Sequence, residues 1–567
     1  MNRTDRRRQG HHRLSGQTRK AQHVSALLAD ALVHHQNHRL QQAETLYRQI
    51  LSIAPDHADA HHLLGLAAYQ QGEYPRAIEH IQHALQLNPR KPHFLFNLAL
   101  ALEKEKRWAE ALERYRQAIA IHPHYMEAWN NLGNLLREQR RLDEAVEAFT
   151  RVLKAQPASA DAHNNLGVTL KEKRDSDGAI REYREALRLN PSHAEAHNNL
   201  GIALMEQGHI DDALSAFQQA IASRPSYAHA YYHLGLAYLW KEQIEHALAC
   251  FWRSAELQHN HRKPVSVRSI AKSRVKHDLE QLTYLHLQRG VTEIPPAYRK
   301  TLESLAQRIH RTDPSAMTVA LDAREREALA PSFNQILHRA PAERISEGAL
   351  NPHLDVSAIE ARYHSSYPEI IYVDHLLTER ALTSLRQFCL DSTIWKRDYQ
   401  NGYLGAFLAE GFACPLLLQI AEELRTRFPG IFRQHRLVQA WAFKYDSELR
   451  GLNLHADASA VNVNFWITPD TANLDHERGG LVVWDKEAPD EWDFKMFNDE
   501  RNQPMIRKFL EEQQAQPVRI PYRQNRAIIF NSNLFHETDT LVFRAGYEDR
   551  RINITLLYGY RQKRSLR

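Results

Sequence analysis

The chain has 567 residues, of which 25% are charged and 43% are hydrophobic, and its formal net charge is +5. This composition is typical of a globular protein with several domains and excludes fibrous and intrinsically disordered classes. No run of about 18 apolar residues occurs, so no membrane-spanning helix is predicted. Residues 1–20 carry seven Lys or Arg against one acid, so the positive charge belongs to a tail and a nucleic-acid-binding groove is not predicted.

The two basic ends of the chain and its few cysteines favour a location in the cytoplasm. The basic N-terminus lacks the apolar stretch of a secretory signal, and residues 1–23 are predicted to form a disordered basic tail, with a second basic tail at 563–567. Three cysteines are too few and too scattered for a disulfide framework or a thiolate zinc site. These features predict a cytoplasmic protein with no membrane and no nucleic-acid partner.

Proline recurs every 34 residues in the first half of the chain, at Pro55, Pro89, Pro123, Pro157, Pro191 and Pro225. Small residues and aromatic or aliphatic residues recur in the same phase. Small residues let two antiparallel helices approach closely, the larger residue fills the gap between them, and proline ends the second helix. The pattern predicts seven helical pairs over residues 24–261.

This pattern resembles the tetratricopeptide repeat, a helix-turn-helix unit. The resemblance implies an all-α superhelix with a concave groove, because each unit buries its apolar stripe only against its neighbours. Such repeats bind peptides and proteins, so a protein or peptide partner is expected.

A column of asparagines occupies one position of the first helix in successive repeats, at Asn97, Asn131, Asn165 and Asn199. An amide offers a donor and an acceptor, so the column can hold the backbone of an extended chain. The series resembles the asparagine ladder of O-linked N-acetylglucosamine transferase repeats, which grips substrate polypeptide. Alternatively, these amides only tie neighbouring repeats together, and the sequence leaves both interpretations open.

Residues 262–365 are predicted to be a helical cap and connector. An amphipathic helix is predicted to end at Gly290 and to cover the open end of the repeat array, and a second helix is predicted over 297–310. From 366 to 562, short β-rich runs separated by turn residues predict a mainly antiparallel β domain with supporting helices near 376–390 and 413–427. The fold class is therefore α+β with several domains.

A candidate metal site lies in the β domain. His455 and Asp457 are two residues apart, so in an extended segment both side chains point to one face, and His536 follows the apolar run AIIF on another strand. Two imidazoles and one carboxylate on one face of an octahedral ion are typical of non-haem Fe(II) oxygenases. The tripeptide alone is a weak motif, since His57-Ala58-Asp59 repeats it in a repeat linker.

Residues 366–562 resemble the prolyl-4-hydroxylase-like branch of the 2-oxoglutarate and Fe(II)-dependent dioxygenases, on the His455-Ala456-Asp457 motif, His536 and the final strand RINIT. The resemblance implies a double-stranded β-helix (jelly roll) in which these three residues hold Fe(II). It also implies 2-oxoglutarate and O2 as cosubstrates, with ascorbate as a reductant.

The same resemblance assigns contacts of 2-oxoglutarate. Arg551 binds its distal carboxylate, and Tyr445, Asn464 and Thr555 are further contacts. Arg544 and Arg550 compete with Arg551 for this role. Arg551 is preferred because RINIT matches the final strand of the family in register, whereas Arg550 would point to the opposite face.

The resemblance predicts an enzyme that hydroxylates a side chain of a protein or peptide captured by the repeats. Two alternatives remain: a small-molecule oxygenase that its repeats recruit to a complex, and a scaffold that has lost activity. Zinc hydrolysis is disfavoured because it explains neither Arg551 nor Tyr445. A polar insert over 485–516 is either a lid over substrate or a surface excursion.

Overall fold

A computed structural model describes residues 3–259, 268–292, 294–311, 316–399, 402–446, 453–489, 492 and 494–560. The chain forms two compact units, Met1–Ala203 and Leu204–Arg567. The predicted basic tail at 563–567 lies outside the described residues.

The first unit consists of helices, and from α1 to α10 each helix packs against the next one in the sequence. They are α1 (Arg3–Gln36), α2 (Leu40–Ile53), α3 (Ala58–Gln70), α4 (Tyr74–Leu87), α5 (Pro92–Lys104), α6 (Trp108–Ile121), α7 (Met126–Glu138), α8 (Leu142–Ala155), α9 (Ala160–Glu172), α10 (Ser176–Leu189) and α11 (Ala194–Glu206), of which the last turn belongs to the second unit.

Glycine permits the close approach of the two helices within a repeat. A Cβ added at Gly133 would lie 2.8 Å from a ring carbon of Phe149, and one at Gly167 would lie 2.7 Å from a ring carbon of Tyr183. Both rings are buried, so each aromatic residue fills the space that a small residue leaves. The period of the sequence thus sets the distance between the helices.

Helix α1 starts at Arg3, where the sequence predicted a disordered tail over residues 1–23. The stretch has no proline and is rich in Arg and Gln, which favour helix. It is also continuous with the first helix of the first repeat. In the structure α1 thus includes residues 3–23, which differs from the predicted disordered tail.

The second unit begins within the repeat array and continues into the strand-rich part. Its helices are α12 (Ile210–Ser223), α13 (Ala228–Trp240), α14 (Ile244–His259), α15 (Lys272–Arg289), α16 (Pro296–Arg311), α17 (Ala323–Leu329), α18 (Val356–Ser365), α19 (Glu379–Asp391), α20 (Pro415–Arg427), α21 (Pro429–Phe432), α22 (Phe494–Asn498) and α23 (Gln503–Glu512). The seventh repeat, α13 and α14, thus shares a compact unit with the predicted β domain.

The strands of the second unit pair in antiparallel sheets. They are β1 (Ser269–Ala271), β2 (Thr318–Ala320), β3 (Ile370–Val373), β4 (Arg397–Asp398), β5 (Tyr403–Phe407), β6 (Leu437–Tyr445), β7 (Ser459–Trp466), β8 (Leu481–Glu487), β9 (Pro517–Ile520), β10 (Ala527–Asn531), β11 (Leu534–Thr538) and β12 (Ile552–Tyr560). Among the described residues, a seven-stranded sheet has the order β3-β10-β7-β12-β6-β5-β4, a three-stranded sheet has the order β11-β8-β9, and β1 pairs with β2.

One face of the seven-stranded sheet changes from aromatic to polar across its middle strands. Thr555 of β12 lies opposite Trp441 of β6 and Asn464 of β7, and Trp441 lies opposite Phe407 of β5. Residues two apart in a strand share a face. Aromatic side chains therefore line this face on β5 and β6, while amides and hydroxyls line it on β7 and β12.

Helices α15 and α16 match the two helices predicted for the connector, and Gly290 ends α15 with a φ of 65°. The sequence predicted that the helix ending at Gly290 covers the open end of the repeat array, but α15 makes its contacts elsewhere. Arg274 and Gln281 of α15 donate to the backbone carbonyls of Lys396 and Ser392, each at 2.9 Å. Helix α15 therefore packs on the strand-rich part, while α14 contacts the turn at 408–410 and α20.

The predicted start of the β domain at residue 366 is too late. The N–H of Ile345 donates to the Gln419 side chain at 2.8 Å, and the N–H of Ala349 donates to the Glu423 carboxylate at 2.9 Å. These side chains of α20 satisfy the backbone of an irregular segment that has no hydrophobic period. The segment before 366 therefore belongs to the same folded part.

No helix of the described residues is both long and apolar enough to cross a membrane. Cys250, Cys389 and Cys414 form no disulfide. Burial raises the pKa of the Cys389 thiol far above its usual value, so this group is an inert part of the core.

His62 of α3 is buried and neutral. Its ring stacks on Phe94, with centroids 4.2 Å apart, and its Nε2 lies 2.8 Å from the amide nitrogen of Asn97. Burial lowers the pKa of His62 to about 3. The unfolded chain binds a proton at this ring below about pH 6.5, so stability falls as the pH drops from there toward the folded-state pKa.

We expect helices α3 and α5 to lose protection below about pH 6.5, by up to about 1.4 kcal/mol per pH unit for this group. His62→Gln, which does not titrate, is expected to flatten the dependence. Amide hydrogen exchange in the full chain, corrected for the intrinsic rate at each pH, measures both slopes. Equal slopes in the parent and the variant would contradict the prediction.

Candidate metal centre

The three predicted metal ligands, His455, Asp457 and His536, come together from distant segments. One ligand atom of each lies within 4.8 Å of the others. His455 and His536 pair through their backbones, with N–H to carbonyl distances of 3.0 and 2.7 Å, and their ring centroids are 4.2 Å apart. Oδ2 of Asp457 lies 3.4 Å from Nε2 of His536. This cluster can hold a divalent ion.

Backbone carbonyls decide which imidazole nitrogens face the site. Nδ1 of His455 lies 2.8 Å from the Asn453 carbonyl, and Nδ1 of His536 lies 3.0 Å from the Leu534 carbonyl. A carbonyl only accepts hydrogen bonds, so each Nδ1 carries the proton when the ring is neutral. The lone pair of each Nε2 is thereby left for a metal.

Local charges favour the ligand states. Burial lowers the pKa of His455 to about 4, and the neighbouring His536 adds to this effect. Burial opposes ionisation of Asp457, but the neighbouring His536, His455 and Asn462 outweigh it, so the pKa of Asp457 is lowered. At neutral pH a neutral imidazole at His455 stands beside an ionised carboxylate, as metal binding requires.

A chain of hydrogen bonds leads from Asp457 across the sheet. Asn462 donates to Oδ2 of Asp457 at 2.6 Å, and Asn464 donates to Oδ1 of Asn462 at 2.5 Å. Oδ1 of Asn464 accepts from Thr555 at 2.7 Å and from Asn553 at 2.8 Å. These buried groups hold the carboxylate in one orientation. The sequence prediction missed Asn553, although it lies two residues after Arg551 on one face.

Arg551 lies in the same pocket, with 1% of its surface exposed. Its Nε donates to the Gly479 carbonyl at 2.8 Å and its Nη2 to that of Gly480 at 3.2 Å, whereas Nη1 has no hydrogen-bond partner. None of the ion pairs among the described residues involves Arg551, and burial lowers its pKa. A buried cation without an anionic partner is unfavourable, so the pocket suits an anionic ligand.

The two competing arginines lie elsewhere. Arg550 is buried, but it pairs with Glu280 at 2.7 Å and with Asp446 at 3.2 Å. Arg544 is exposed. Of the three arginines, Arg551 is therefore the one beside the candidate metal ligands.

Tyr445 completes this pocket. The guanidinium of Arg551 lies 4.7 Å from the centroid of its ring, and burial raises the pKa of Tyr445, so the phenol stays neutral. The cavity also touches Leu481 and Thr538, which the prediction missed. The alternation of the strand was the signal for Thr538, two residues after His536.

The cavity enclosed by these groups has a volume of about 10 Å³, which is room for about one water molecule. A larger ligand therefore enters only if the side chains around it move apart.

The insert over 485–516 folds against the segments that carry the ligands. Asn498 of α22 donates to the Ala456 carbonyl at 3.0 Å, and Gln503 of α23 donates to the Leu454 carbonyl at 2.6 Å. A buried cluster joins the insert to the residues next to the ligands and consists of Leu454, Ala456, Ala488, Phe497, Ile506, Leu510 and Phe535. The insert thus supports the site, a role that neither predicted interpretation included.

Each asparagine of the column in the first unit is half-buried and hydrogen bonds with the preceding repeat. The pairs are Asn97 with His62, Asn131 with Tyr115, Asn165 with Asn130, and Asn199 with Asn164. These bonds favour the interpretation that the amides tie repeats together. Peptide binding by the column stays a prediction.

Two family models match the N-terminal part of the chain. A model described as tetratricopeptide repeat matches residues 27–92, 62–126, 96–160, 130–171 and 199–249, and one described as TPR repeat matches 175–208. The first ~250 residues hold tetratricopeptide repeats. The matches end at residue 249.

Several solved structures are similar to part of the chain. PilF of Pseudomonas aeruginosa is 22% identical, covers 35% of this chain and 91% of its own, and has a TM-score of 0.32. A tetratricopeptide repeat protein of Parabacteroides merdae is 18% identical, covers 42% of this chain and 94% of its own, and has a TM-score of 0.38. YrrB, described as having an unusual peptide-binding site, is 26% identical, covers 31% of this chain and 92% of its own, and has a TM-score of 0.26. No curated protein matches the chain.

Asn462→Ala is expected to weaken binding of Mn(II) by about ten- to a hundredfold, because it frees the carboxylate of Asp457 to rotate. Thr555→Val, further along the same network, is expected to have a smaller effect. Electron paramagnetic resonance of free Mn(II) in titrations of the full chain measures both affinities. An Mn(II) affinity unchanged by Asn462→Ala would show that the network does not position the ligand.

Proposed function

We propose that the chain is a 2-oxoglutarate- and Fe(II)-dependent dioxygenase that hydroxylates a side chain of a protein or peptide bound by its repeats. The observation that carries the proposal is the unpaired Nη1 of buried Arg551 in the same pocket as three convergent ligand atoms. A bound metal alone would account for the convergence of the three ligand atoms, and a bound anion alone would account for the unpartnered Nη1 of Arg551. A dicarboxylate that chelates the metal explains both.

The residues present fit both groups. Two imidazoles and one carboxylate suit Fe(II) and leave positions for other ligands. Arg551 offers a guanidinium for the distal carboxylate of 2-oxoglutarate, beside the neutral phenol of Tyr445. Asn464 and Thr555 line the same pocket. Because the cavity is small, binding of this five-carbon diacid includes a movement of side chains.

The arrangement of the sheets supports the same family. A jelly roll consists of two antiparallel sheets packed face to face. Here buried side chains of the seven-stranded and three-stranded sheets share one cluster, which contains Trp466, Ile528 and Phe530 from one sheet and Leu481, Val483, Ile520 and Leu534 from the other. We therefore assign the strand-rich part to the double-stranded β-helix architecture.

Fe(II) and 2-oxoglutarate, when bound, supply the conversion of a C–H bond to C–OH with O2, and release succinate and CO2. The chain supplies geometry and charge. His455 and His536 are oriented by backbone carbonyls, and Asp457 is oriented by Asn462. Arg551 orients the anion, and the rings of Tyr445 and Trp466 that enclose its guanidinium keep water away from this contact.

Anaerobic addition of Fe(II) and 2-oxoglutarate to the full chain is expected to produce a visible charge-transfer band. His455→Ala is expected to abolish it. The control is His57→Ala, in the identical tripeptide of a repeat linker, and it is expected to keep the band. This change removes only a local hydrogen bond, which the N–H of Ala60 donates to His57 at 3.1 Å. A folded parent protein without a band would refute the oxygenase and leave a repeat scaffold.

Arg551→Gln is expected to weaken 2-oxoglutarate binding by at least about thirtyfold, the effect of losing a buried charge partner, while metal binding persists. Calorimetry with Mn(II) in place of Fe(II) measures both. Exposed Arg544→Gln is expected to leave both unchanged. Arg550→Gln breaks a buried ion pair and is expected to lower stability by about 3–5 kcal/mol. Equal 2-oxoglutarate affinities of Arg551→Gln and the parent would contradict the assignment.

A further inference from the structure

A second cavity, of about 530 Å³, opens beside His455 and Asp457 within the second unit. Its volume lies in the range of binding sites for small ligands or single side chains with their flanking backbone. Part of its wall belongs to the seventh repeat, with His229 and Tyr232 of α13 and Gln258 of α14. The seventh repeat and the proposed metal centre therefore border one cavity.

Hydrogen bonds fix the seventh repeat to the sheet at this cavity. Tyr232 and Trp240 of α13 donate to the carbonyls of Val438 and Leu437, at 3.0 and 2.8 Å. Trp252 of α14 donates to a carbonyl before α20 at 3.0 Å. Both carbonyls at 437–438 belong to β6, the strand that also lines the cavity. This wall is therefore a fixed part of the cavity.

The inner part of the cavity is aromatic. Its rings are Tyr399, Tyr403, Phe407, Trp441 and Phe443. Tyr399 stacks on Tyr403, with centroids 4.4 Å apart, and Trp441 and Phe443 pack with centroids 6.2 Å apart. An aromatic floor favours apolar ligand groups.

The charged groups of the cavity are already paired. Apart from the histidines, the charged lining residues within the described part of the chain are Arg397, Glu410 and the proposed ligand Asp457. Nε of Arg397 donates to Glu410 at 2.8 Å, and the guanidinium lies over the Phe407 ring at 4.4 Å. Because Arg397 and Glu410 already pair with each other, this lining favours an uncharged side chain over a charged one.

The mouth of the cavity, in contrast, offers polar groups. His229 and Gln439 are exposed there, and neither side chain makes a hydrogen bond to a described residue. An imidazole and an amide each provide a donor and an acceptor, which match the N–H and C=O groups of a polypeptide backbone.

We infer that the seventh repeat forms part of the substrate site, and that the cavity takes a polypeptide segment whose target side chain is uncharged and apolar. The inference rests on the proposed oxygenase function of the adjacent metal centre. His229 and Gln439 contact the backbone of the segment at the mouth. The target side chain lies on Trp441 and Phe443 and points toward His455 and Asp457, where its C–H bond becomes C–OH.

The test selects a phage-displayed random dodecapeptide library on the full-length protein without Fe(II). Counter-selection on the double variant His229→Asp, Gln439→Asp removes peptides that bind elsewhere, and both positions are exposed and unbonded, so the fold is retained. The recovered peptides are expected to share an apolar residue without adjacent charges.

Fluorescence anisotropy then compares affinities of the recovered peptides. Each single variant, His229→Asp or Gln439→Asp, is expected to weaken binding by about two- to tenfold, the effect of one hydrogen bond. His246→Asp, the same change on an exposed part of α14 outside the cavity, is expected to change nothing. Trp441→Ala is expected to weaken binding further, with Trp441→Phe restoring most of it.

The outcomes separate this inference from the oxygenase assignment. Three results would overturn the inference even if the charge-transfer band is observed. They are a charged consensus, a selection that recovers no peptide, and peptide affinities that are the same in the parent, His229→Asp and Gln439→Asp. Cavity-bound peptides with a protein that gives no band would support the cavity assignment and refute the oxygenase. In the presence of Fe(II), 2-oxoglutarate and O2, a gain of one oxygen atom on the apolar residue supports both.

Discussion

The backbone pairing of His455 with His536 is the interaction on which the candidate site depends. Two reciprocal hydrogen bonds join segments that carry no long strand, and they set the separation of the two rings. Asp457 then lies within reach because it is two residues from His455. The remaining features stabilise this pairing from outside: the insert packs behind it, and Asn462 restrains the carboxylate. Ligand geometry is therefore determined mainly by the backbone and its neighbours.

The sequence was sufficient for those parts of the structure that repeat or alternate. The 34-residue period predicted the helical pairs, because each small residue must face a larger apolar residue such as Phe149 or Ile81. The alternation in RINIT distinguished Arg551 from Arg550, which faces Glu280 on the other side. Strand β6 and strand β12 were also evident, since long runs of β-branched and aromatic residues leave few alternatives.

Other parts depend on tertiary contacts that no local pattern reveals. Strands β4, β5, β9 and β11 are short, and β11 contains polar residues around His536, so their pairing partners determine them more than their composition does. The insert reads as a polar excursion, yet a few apolar residues such as Phe497 and Leu510 attach it to the site. The connector helix was predicted correctly, but its partner was not, because Gln281 and Arg274 bond to backbone carbonyls rather than to a recognisable motif.

The hydrogen bonds from Tyr232 and Trp240 to β6 have a consequence for how such a chain can diversify. Repeats that contact only their neighbours can be gained, lost or exchanged with little effect on distant parts. The seventh repeat lacks this freedom, because its removal would leave backbone carbonyls of β6 and a set of aromatic rings facing water. Changes in the earlier repeats therefore leave these contacts intact, whereas α13 and α14 are coupled to the sheet that borders the candidate metal centre.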